Sequence, residues 1–379
     1  MNQVQLENMF GELRSIIQLI QPDLLIPLSA ARRLDYLNLS EQHILLDGLF
    51  QIFRTAMNRN SDIVLEQWVA YLERSFQSTN TSVWRVRNID DLQWSCNLIL
   101  RVGFLLDISG DHYYHHAEDL DEVIQSSLWS RVSEFKASEC GFYDDHMFTM
   151  TERDTVLQGL QSIDLSFNDL TEDSIIELLN IELSVQEINL EANSIGTAGA
   201  LDVANSNRLE NLQSLNLSQN KIKGDDLLEI LLSQNLPSLR ELLCIGGDFV
   251  PADFVQILRQ SSIKKLTALA LGRSHINEQA MACLANNANI VGLERLWLVD
   301  ANINSLSVSN LVQSPYAQNL KLLNVSNNEI DDSGAVVLAN FFANSSVKRL
   351  DVTNNLFGEM GQNALDDAAR SAPHRTLVF

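Results

Sequence analysis

The chain has 379 residues, of which 45% are hydrophobic, and it carries a formal net charge of −23. This hydrophobic content, with only 6 prolines and 16 glycines, excludes a disordered or low-complexity chain. The negative charge disfavours binding to nucleic acid or to an anionic membrane surface, and it favours solubility or basic partners.

The cysteines and the N-terminus predict a reduced protein of the cytoplasm. Cys96, Cys140, Cys244 and Cys283 are scattered without paired spacing, which is not the pattern of a disulfide scaffold. No basic segment precedes an uninterrupted apolar stretch at the N-terminus, so no secretory signal is expected. The most apolar run, LILRVGFLL at 98–106, is too short to span a bilayer.

Residues 1–150 show the apolar spacing of helices and no repeat. The segment 61–76 places Leu65, Trp68 and Leu72 on one stripe, with Ser61 as the N-cap. Segments 40–53 and 91–106 are similar. Such stripes are more often packing surfaces than ligand sites, so we predict an α-helical domain over 1–150.

The tract GDHYYHHAEDLDE at 110–122 has the composition of a metal site. On a helix His112 and His116 would share a face, as zinc ligands can. However, the tract has no H-E-x-x-H arrangement, and a His-rich tract is a compositional indication only. We therefore predict neither a metal nor another cofactor.

The segment ECGFYDDH at 139–146 brings a cysteine close to an acid and a base. Cys140 is followed by Asp144 and His146, but a catalytic thiol needs a lowered pKa and an oriented base, which spacing does not show. We predict that the protein is not an enzyme. The alternative is an enzyme whose helical domain modifies a captured partner, for example by ubiquitin transfer through Cys140.

From residue 160 onward the pattern L-x-x-L-x-L-x-x-N-x-I recurs. After a first step of 25 residues, every later step is 27. The first apolar positions are Leu160, Val185, Leu212, Leu239, Leu266, Leu293, Leu320 and Val347. A truncated copy, HRTLVF, ends with Leu377 and Phe379. We predict a repeat domain over 151–379, with about eight repeats and a terminal partial strand.

Each repeat is predicted to form a strand, a turn and a helix. Strand alternation buries the fourth and sixth residues of the pattern and turns the third, fifth and seventh outward. The following segments, such as 224–234 and 333–344, have helical apolar spacing. We therefore expect an α/β solenoid, with parallel strands on the concave face and helices on the convex face.

The strand motifs and the helix starts resemble the ribonuclease-inhibitor class of leucine-rich repeats. The helix starts are IGTAGALDVA at 195–204, IDDSGAVVLA at 330–339 and FGEMGQNAL at 357–365. This resemblance covers about residue 155 to the end and implies a protein-binding surface. The acidic, Asn/Gln-rich composition is also similar to that of secreted leucine-rich-repeat effectors of intracellular bacteria, which implies a host protein as target in the host cytoplasm.

The asparagine of the pattern lies where the chain leaves the strand. Its amide can pair with its own turn and with the next repeat, so we expect a structural ladder. The ladder residues are Asn168, Asn193, Asn220, Asn328 and Asn355.

The outward positions are polar in the outer repeats and apolar in the central ones. Trp297 stands where sister copies carry Asn216 and Asn324, and the small Ala268, Ala270 and Gly272 are expected to leave a hollow beside it. The asparagine ladder is also interrupted in these repeats, by Gly247, Ser274 and Ala301.

These two coinciding irregularities predict a site for a protein partner on the concave face. An aromatic residue in an apolar patch, with charged residues at the edge of the patch, has the composition of a binding hot spot. The predicted site comprises Trp297, Leu243, Ile245, Ala270, Val299, Leu322, Arg295, Arg273, Glu241 and Arg349. Glu187 and Glu191 would help to set orientation. The alternatives are that the patch is covered by the N-terminal region, that it makes a homodimeric scaffold, or that it reflects neutral drift.

Overall fold

The computed structural model describes residues 134–152, 157, 159–260, 263 and 265–379, together with the backbone of two short strands, Val83–Arg85 and Leu105–Asp107. The helices predicted at 40–53 and 61–76 and the histidine tract at 110–122 lie outside the described residues. The segment predicted as a helix at 91–106 is described only where it enters the second short strand.

Twelve strands of three residues form one parallel sheet in chain order. The strands are β1 (Val83–Arg85), β2 (Leu105–Asp107), β3 (Glu134–Lys136), β4 (Ser162–Asp164), β5 (Glu187–Asn189), β6 (Ser214–Asn216), β7 (Glu241–Leu243), β8 (Ala268–Ala270), β9 (Arg295–Trp297), β10 (Leu322–Asn324), β11 (Arg349–Asp351) and β12 (Thr376–Val378). From β6 to β11 the paired residues lie 27 positions apart, so the sequence repeat is also the repeat of the sheet.

A helix follows each of the strands β3 to β11. The helices are α1 (Asp144–Thr151), α2 (Glu172–Asn180), α3 (Gly196–Asn205), α4 (Gly224–Leu232), α5 (Pro251–Arg259), α6 (Glu278–Ala285), α7 (Ser305–Gln313), α8 (Asp332–Asn344) and α9 (Glu359–Ser371). Side chains of Thr171, Asn277, Asn304 and Asp331 accept backbone N–H groups at four helix starts. The predicted α/β solenoid is confirmed, and α4 and α8 lie where the spacing indicated.

The core lies between the sheet and the helices. In the strands β3 to β11 the fourth residue of the pattern is buried, as Leu269 and Leu296 are, and the sixth follows it inward, as at Leu271 and Leu298. The inner faces of the helices close this layer, for example with Met281. No helix among the described residues has the length and apolar character needed to cross a membrane.

The parallel sheet extends to the N-terminal side of residue 151, where we predicted the array to begin. β3 pairs with β4, so that Phe135 lies in register with Ile163. The local sequence reads F-x-A-x-x-C-x-F, in which Cys140 takes the place of the ladder asparagine. A search for leucine and asparagine overlooks this copy. The division into a helical and a repeat domain stays a prediction, because most of 1–133 lies outside the described residues.

The prediction that the seventh position of the pattern points outward is wrong where this residue is a serine. Ser166, Ser218 and Ser326 are buried, because the strand ends at the fifth position and the chain then bends. The hydroxyl of Ser166 donates to Oδ1 of Asp164 at 2.6 Å, which satisfies the polar group in this position. Beyond the end of the strand, alternation predicts the outward residues in some repeats only, since Ile245 and Val299 stay partly exposed at this position and the serines do not.

A left-handed residue marks the turn in every repeat from β3 to β11. It is Glu139, Phe167, Ala192, Gln219, Gly246, Arg273, Asp300, Asn327 or Asn354, and its φ lies between 52° and 78°. Only one of these positions is a glycine, although other residues adopt this conformation at a cost of about 1–2 kcal/mol. In the five repeats whose turn residue is not Gly, Asp or Asn, the turn is therefore imposed by the neighbouring repeats and not by local preference.

Candidate partner-binding site on the concave face

The asparagine ladder joins each repeat to the preceding one. Oδ1 of Asn193 accepts the N–H of Leu170 at 3.0 Å, and its Nδ2 donates to the carbonyl oxygens of Leu165 and Leu190, both at 3.0 Å. The amide thus pairs with its own turn and with the preceding repeat, whereas we expected it to pair with the next one. The same arrangement occurs at Asn168, Asn220, Asn328 and Asn355.

The ladder is interrupted in three consecutive repeats. At Gly247 the ring of Phe249 occupies the space, since an added Cβ would lie 2.3 Å from its Cζ. Ser274 donates only within its own turn, to the carbonyl oxygen of Leu271 at 3.5 Å. Ala301 has no side-chain group to donate. The amide link that joins each repeat to the preceding one is therefore missing across the three intervals from β6 to β9.

A second ladder, which we did not predict from the sequence, lies at the fifth position. Here an Asp or Asn side chain accepts the backbone N–H of the residue two positions on, at 2.9–3.2 Å. The acceptors are Asp164, Asn189, Asn216, Asn324 and Asp351. Their regular spacing was visible in the sequence. The role of these side chains was not visible, because it depends on where the backbone N–H of the seventh residue points.

The central repeats replace these acceptors with Leu243, Ala270 and Trp297. Only the first loss is compensated, because Ser218 Oγ of the preceding repeat accepts the N–H of Ile245 at 3.1 Å. No hydrogen bond within the described part of the chain involves the N–H of Gly272 or Val299. Each lost bond gives up about 1 kcal/mol of stability.

Strand β8 is covered by its neighbours. Ala268 and Ala270 are 0% exposed, although both stand at outward positions. The guanidinium of Arg295 forms an ion pair with Glu241 across Ala268, because these three residues share one register row. The predicted hollow beside the indole is therefore not open. Ala270 supports the patch from beneath and presents no surface to a partner.

Gly272 permits close approach of the two central turns. A Cβ at this position would lie 2.4 Å from the carbonyl oxygen and 3.0 Å from the amide nitrogen of Val299. It would also lie 3.2 Å from Cγ2 of Ile245. Ile245 and Val299 therefore converge above a residue that has no side chain.

The accessible part of the predicted site is a band of half-buried side chains across β7 to β10. We call it the Trp297 patch, and it comprises Leu243, Ile245, Trp297, Val299 and Leu322. Arg295 stacks over the indole, with its guanidinium carbon 6.0 Å from the ring centre. This contact orients the largest side chain of the patch and places a charge at its edge.

Two further arginines lie beside the patch. Arg273 is exposed, and its Nη1 lies 3.4 Å from Oε1 of Gln219, two repeats away. Gly246, in the repeat between them, lies close to both side chains. Arg349 is exposed on β11, two strands from Trp297. Neither has a carboxylate oxygen within 4.0 Å among the described residues. Both are available for charged groups of another molecule.

The cysteine grouping at 139–146 has a structural arrangement. Cys140 is fully buried, and its backbone N–H donates to Oδ1 of Asn168 at 3.1 Å. His146 is also buried and stacks on Phe142. Burial raises the pKa of Asp144, but hydrogen bonds from the next repeat outweigh this effect and lower it. The thiol on which the ubiquitin-transfer alternative depends is therefore inaccessible.

The described residues contain no group of three or more His, Cys, Asp or Glu side chains placed to hold a metal ion. His112, His115 and His116 lie outside them. Burial, with a smaller contribution from Asp226, raises the pKa of the Cys244 thiol well above its usual range. This thiol is thus a core residue of its repeat.

Comparison with known proteins agrees with the repeat architecture. Residues 208–231 and 316–339 match a family model described as a leucine-rich repeat. No curated protein matches the sequence. The array is therefore a leucine-rich-repeat solenoid, of a fold that generally serves protein–protein interaction.

Two solved structures are found by a comparison of structures, both at low identity. A protein from Bacteroides fragilis has 12% identity and a TM-score of 0.39, over 69% of this chain and 68% of its own. TLR13, in a complex with single-stranded RNA, has 16% identity and a TM-score of 0.37, over 70% of this chain. The match spans 35% of that receptor chain.

Proposed function

We propose that this chain binds a protein partner through the concave face of its array, with the Trp297 patch as the anchor. The observation that carries this proposal is the coincidence of three features in β7 to β9. The fifth-position acceptors are lost, the asparagine ladder is interrupted and apolar side chains take the surface. The same repeats lose hydrogen bonds that stabilise the fold and gain exposed apolar side chains. Such a local loss of stability is expected where residues are selected for binding.

Neutral drift explains this pattern less well than binding does. Scattered exposed apolar residues such as Leu306 and Leu356 need no explanation. In contrast, Leu243 and Trp297 of the patch occupy one register row on either side of Ala270, and Gly272 is required by the packing between Ile245 and Val299. The loss of backbone hydrogen bonds in adjacent repeats lowers the stability of the fold, and neutral drift gives no reason for these losses to accumulate in one place.

A protein partner fits the surface better than nucleic acid does. Glu187, Glu191 and Asp164 stand on the strands that precede the patch, and the chain as a whole carries a charge of −23. Phosphates would be repelled by these carboxylates, because nucleic-acid affinity comes mainly from cationic contacts. The composition shared with secreted bacterial effectors favours a host protein in the host cytoplasm as the partner.

The test compares three forms of the full chain in affinity capture followed by mass spectrometry. Trp297→Asn installs the residue that sister repeats carry, and Leu306→Asn is the matched control at an exposed apolar residue on α7. We expect a partner retained by the wild type and by Leu306→Asn and lost by Trp297→Asn. Equal capture by all three forms would refute the proposal.

The occupant of the patch is identified by two parallel measurements. Light scattering over a range of concentrations shows whether a second copy covers the patch, in which case the mass doubles for the wild type and not for Trp297→Asn. Fluorescence anisotropy with a single-stranded RNA oligonucleotide tests for nucleic acid, and we expect no binding.

A further inference from the structure

Charge is distributed unevenly along the concave face. On the outward and turn positions of β3 to β6 stand five acidic residues, Glu134, Glu139, Asp164, Glu187 and Glu191, and one basic residue, Lys136. The same positions of β7 to β12 carry three acidic and three basic residues, and one pair of these, Glu241 and Arg295, is joined in an ion pair. The face is thus acidic on one side of the Trp297 patch and not on the other.

The acidic side is built into the sheet. Glu191 is held by Asn216 Nδ2, 3.2 Å from its Oε2, and by Gln219 Nε2, 2.9 Å from its Oε1. Glu187 on the same strand is exposed, and the only hydrogen bond of its carboxylate in the described region is a long one, 3.4 Å, from Ser162 Oγ. The carboxylate of Glu191 is therefore held in place, and that of Glu187 is available to a basic group of a partner.

On the opposite side of the patch stands one arginine, Arg349. Arg349 makes no ion pair among the described residues, and on β11 the carboxylate of Asp351 is occupied by the N–H and hydroxyl of Thr353. Arg349 is therefore the group on this side that a partner's acid can reach without displacing an existing contact.

We infer that the partner presents a linear polypeptide segment of fixed polarity, with basic residues over β4 to β6, an apolar anchor on the Trp297 patch and an acidic residue at Arg349. This inference rests on the proposed function and adds the chemistry and direction of the segment. Opposite charges at the two ends fix the direction, because reversing the segment would place like charges together.

The sheet sets the spacing of the recognised groups. Four strand intervals separate Glu187 from Trp297, or roughly 19 Å at about 4.8 Å per strand. An extended segment covers this distance with about six residues at 3.3–3.6 Å each. A helix would need about thirteen residues at 1.5 Å each.

The test is selection of a random peptide library, displayed on phage, against the immobilised full chain. We expect enriched peptides that carry an apolar anchor with Lys or Arg on one side only. Their affinity, measured by fluorescence anisotropy, should fall about threefold to tenfold in Glu187→Lys and should weaken with added salt. The matched control is Glu182→Lys, because Glu182 is exposed outside the strands.

Each other outcome refutes a definite statement. If Trp297→Asn abolishes binding but Glu187→Lys and Glu182→Lys have equal affinity, the polarity is wrong and the proposed function survives. If the peptides bind Trp297→Asn as well as they bind the wild type, the proposed function itself is wrong. If no peptide is enriched, the partner does not present a linear segment.

Discussion

Trp297 lies directly beside Asn324 in the parallel register of β9 and β10, and only Asn324 accepts a hydrogen bond from the chain that follows it. Its Oδ1 lies 2.9 Å from the N–H of Ser326, whereas the corresponding N–H of Val299 has no acceptor on Trp297. The fold thus favours an asparagine or aspartate at this position, and a tryptophan there loses one backbone hydrogen bond.

Trp297→Asn should be more stable than Trp297→Ala by about 0.5–1.5 kcal/mol, because only asparagine restores the acceptor for Val299. Both variants lose the same contact between the indole and Arg295, so their difference isolates the hydrogen bond. Chemical denaturation of the two proteins measures it. Equal free energies of unfolding would show that the N–H of Val299 is satisfied by solvent.

Asn328→Ala should destabilise the array by about 2–4 kcal/mol, since it leaves several buried backbone groups without partners. Its Nδ2 donates to the carbonyl oxygens of Leu298, Val325 and Ser326, at 2.8–3.0 Å, and its Oδ1 accepts two N–H groups. Thermal denaturation is the measurement, with Asn340→Ala on the exposed face of α8 as the control. A similar loss in both variants would contradict the ladder's role.

The sequence predicted the solenoid well because its period is carried by buried leucines, such as Leu269 and Leu296, whose places depend only on local alternation. The site was predicted less well. The covered state of Ala270 depends on side chains from two other strands, and the burial of Cys140 depends on a repeat in which phenylalanine and alanine replace leucine. Local sequence patterns do not encode contacts between repeats, so the burial of these two residues could not be predicted from the sequence.

Gly272→Ala should destabilise the protein by about 1–3 kcal/mol, because its Cβ would approach the backbone of Val299. Gly272→Ser should lose about 1 kcal/mol less, because a serine hydroxyl at this position can accept the N–H of Val299. Ser218 already does this for Ile245 in the preceding pair of strands. Urea denaturation of both variants gives the difference in their free energies of unfolding. A serine variant that is no more stable than the alanine variant would show that a serine at 272 does not act as Ser218 does.

Thiol labelling of the native protein should modify Cys283 before Cys140 and Cys244. Cys283 is only partly buried, whereas the other two are enclosed in the core and burial raises the pKa of Cys244. Iodoacetamide treatment followed by peptide mass mapping identifies each site, and the same treatment in urea should modify all of them. Rapid native labelling of Cys140 would overturn its assignment as a core residue and revive transfer chemistry through it.

Asp331→Ala should lower the melting temperature near neutral pH, and this difference should disappear in acid. Hydrogen bonds from Ser305, Ser333 and the start of α8 lower the pKa of Asp331 from 3.8 to about 2. A pKa lowered by folding means that the carboxylate stabilises the protein above pH 4 and loses this effect as the pH falls towards 2. Melting curves of wild type and variant across this range measure the change, with Glu329→Ala as an exposed control. A difference that persists unchanged down to pH 2 would show that Asp331 acts through its shape and not its charge.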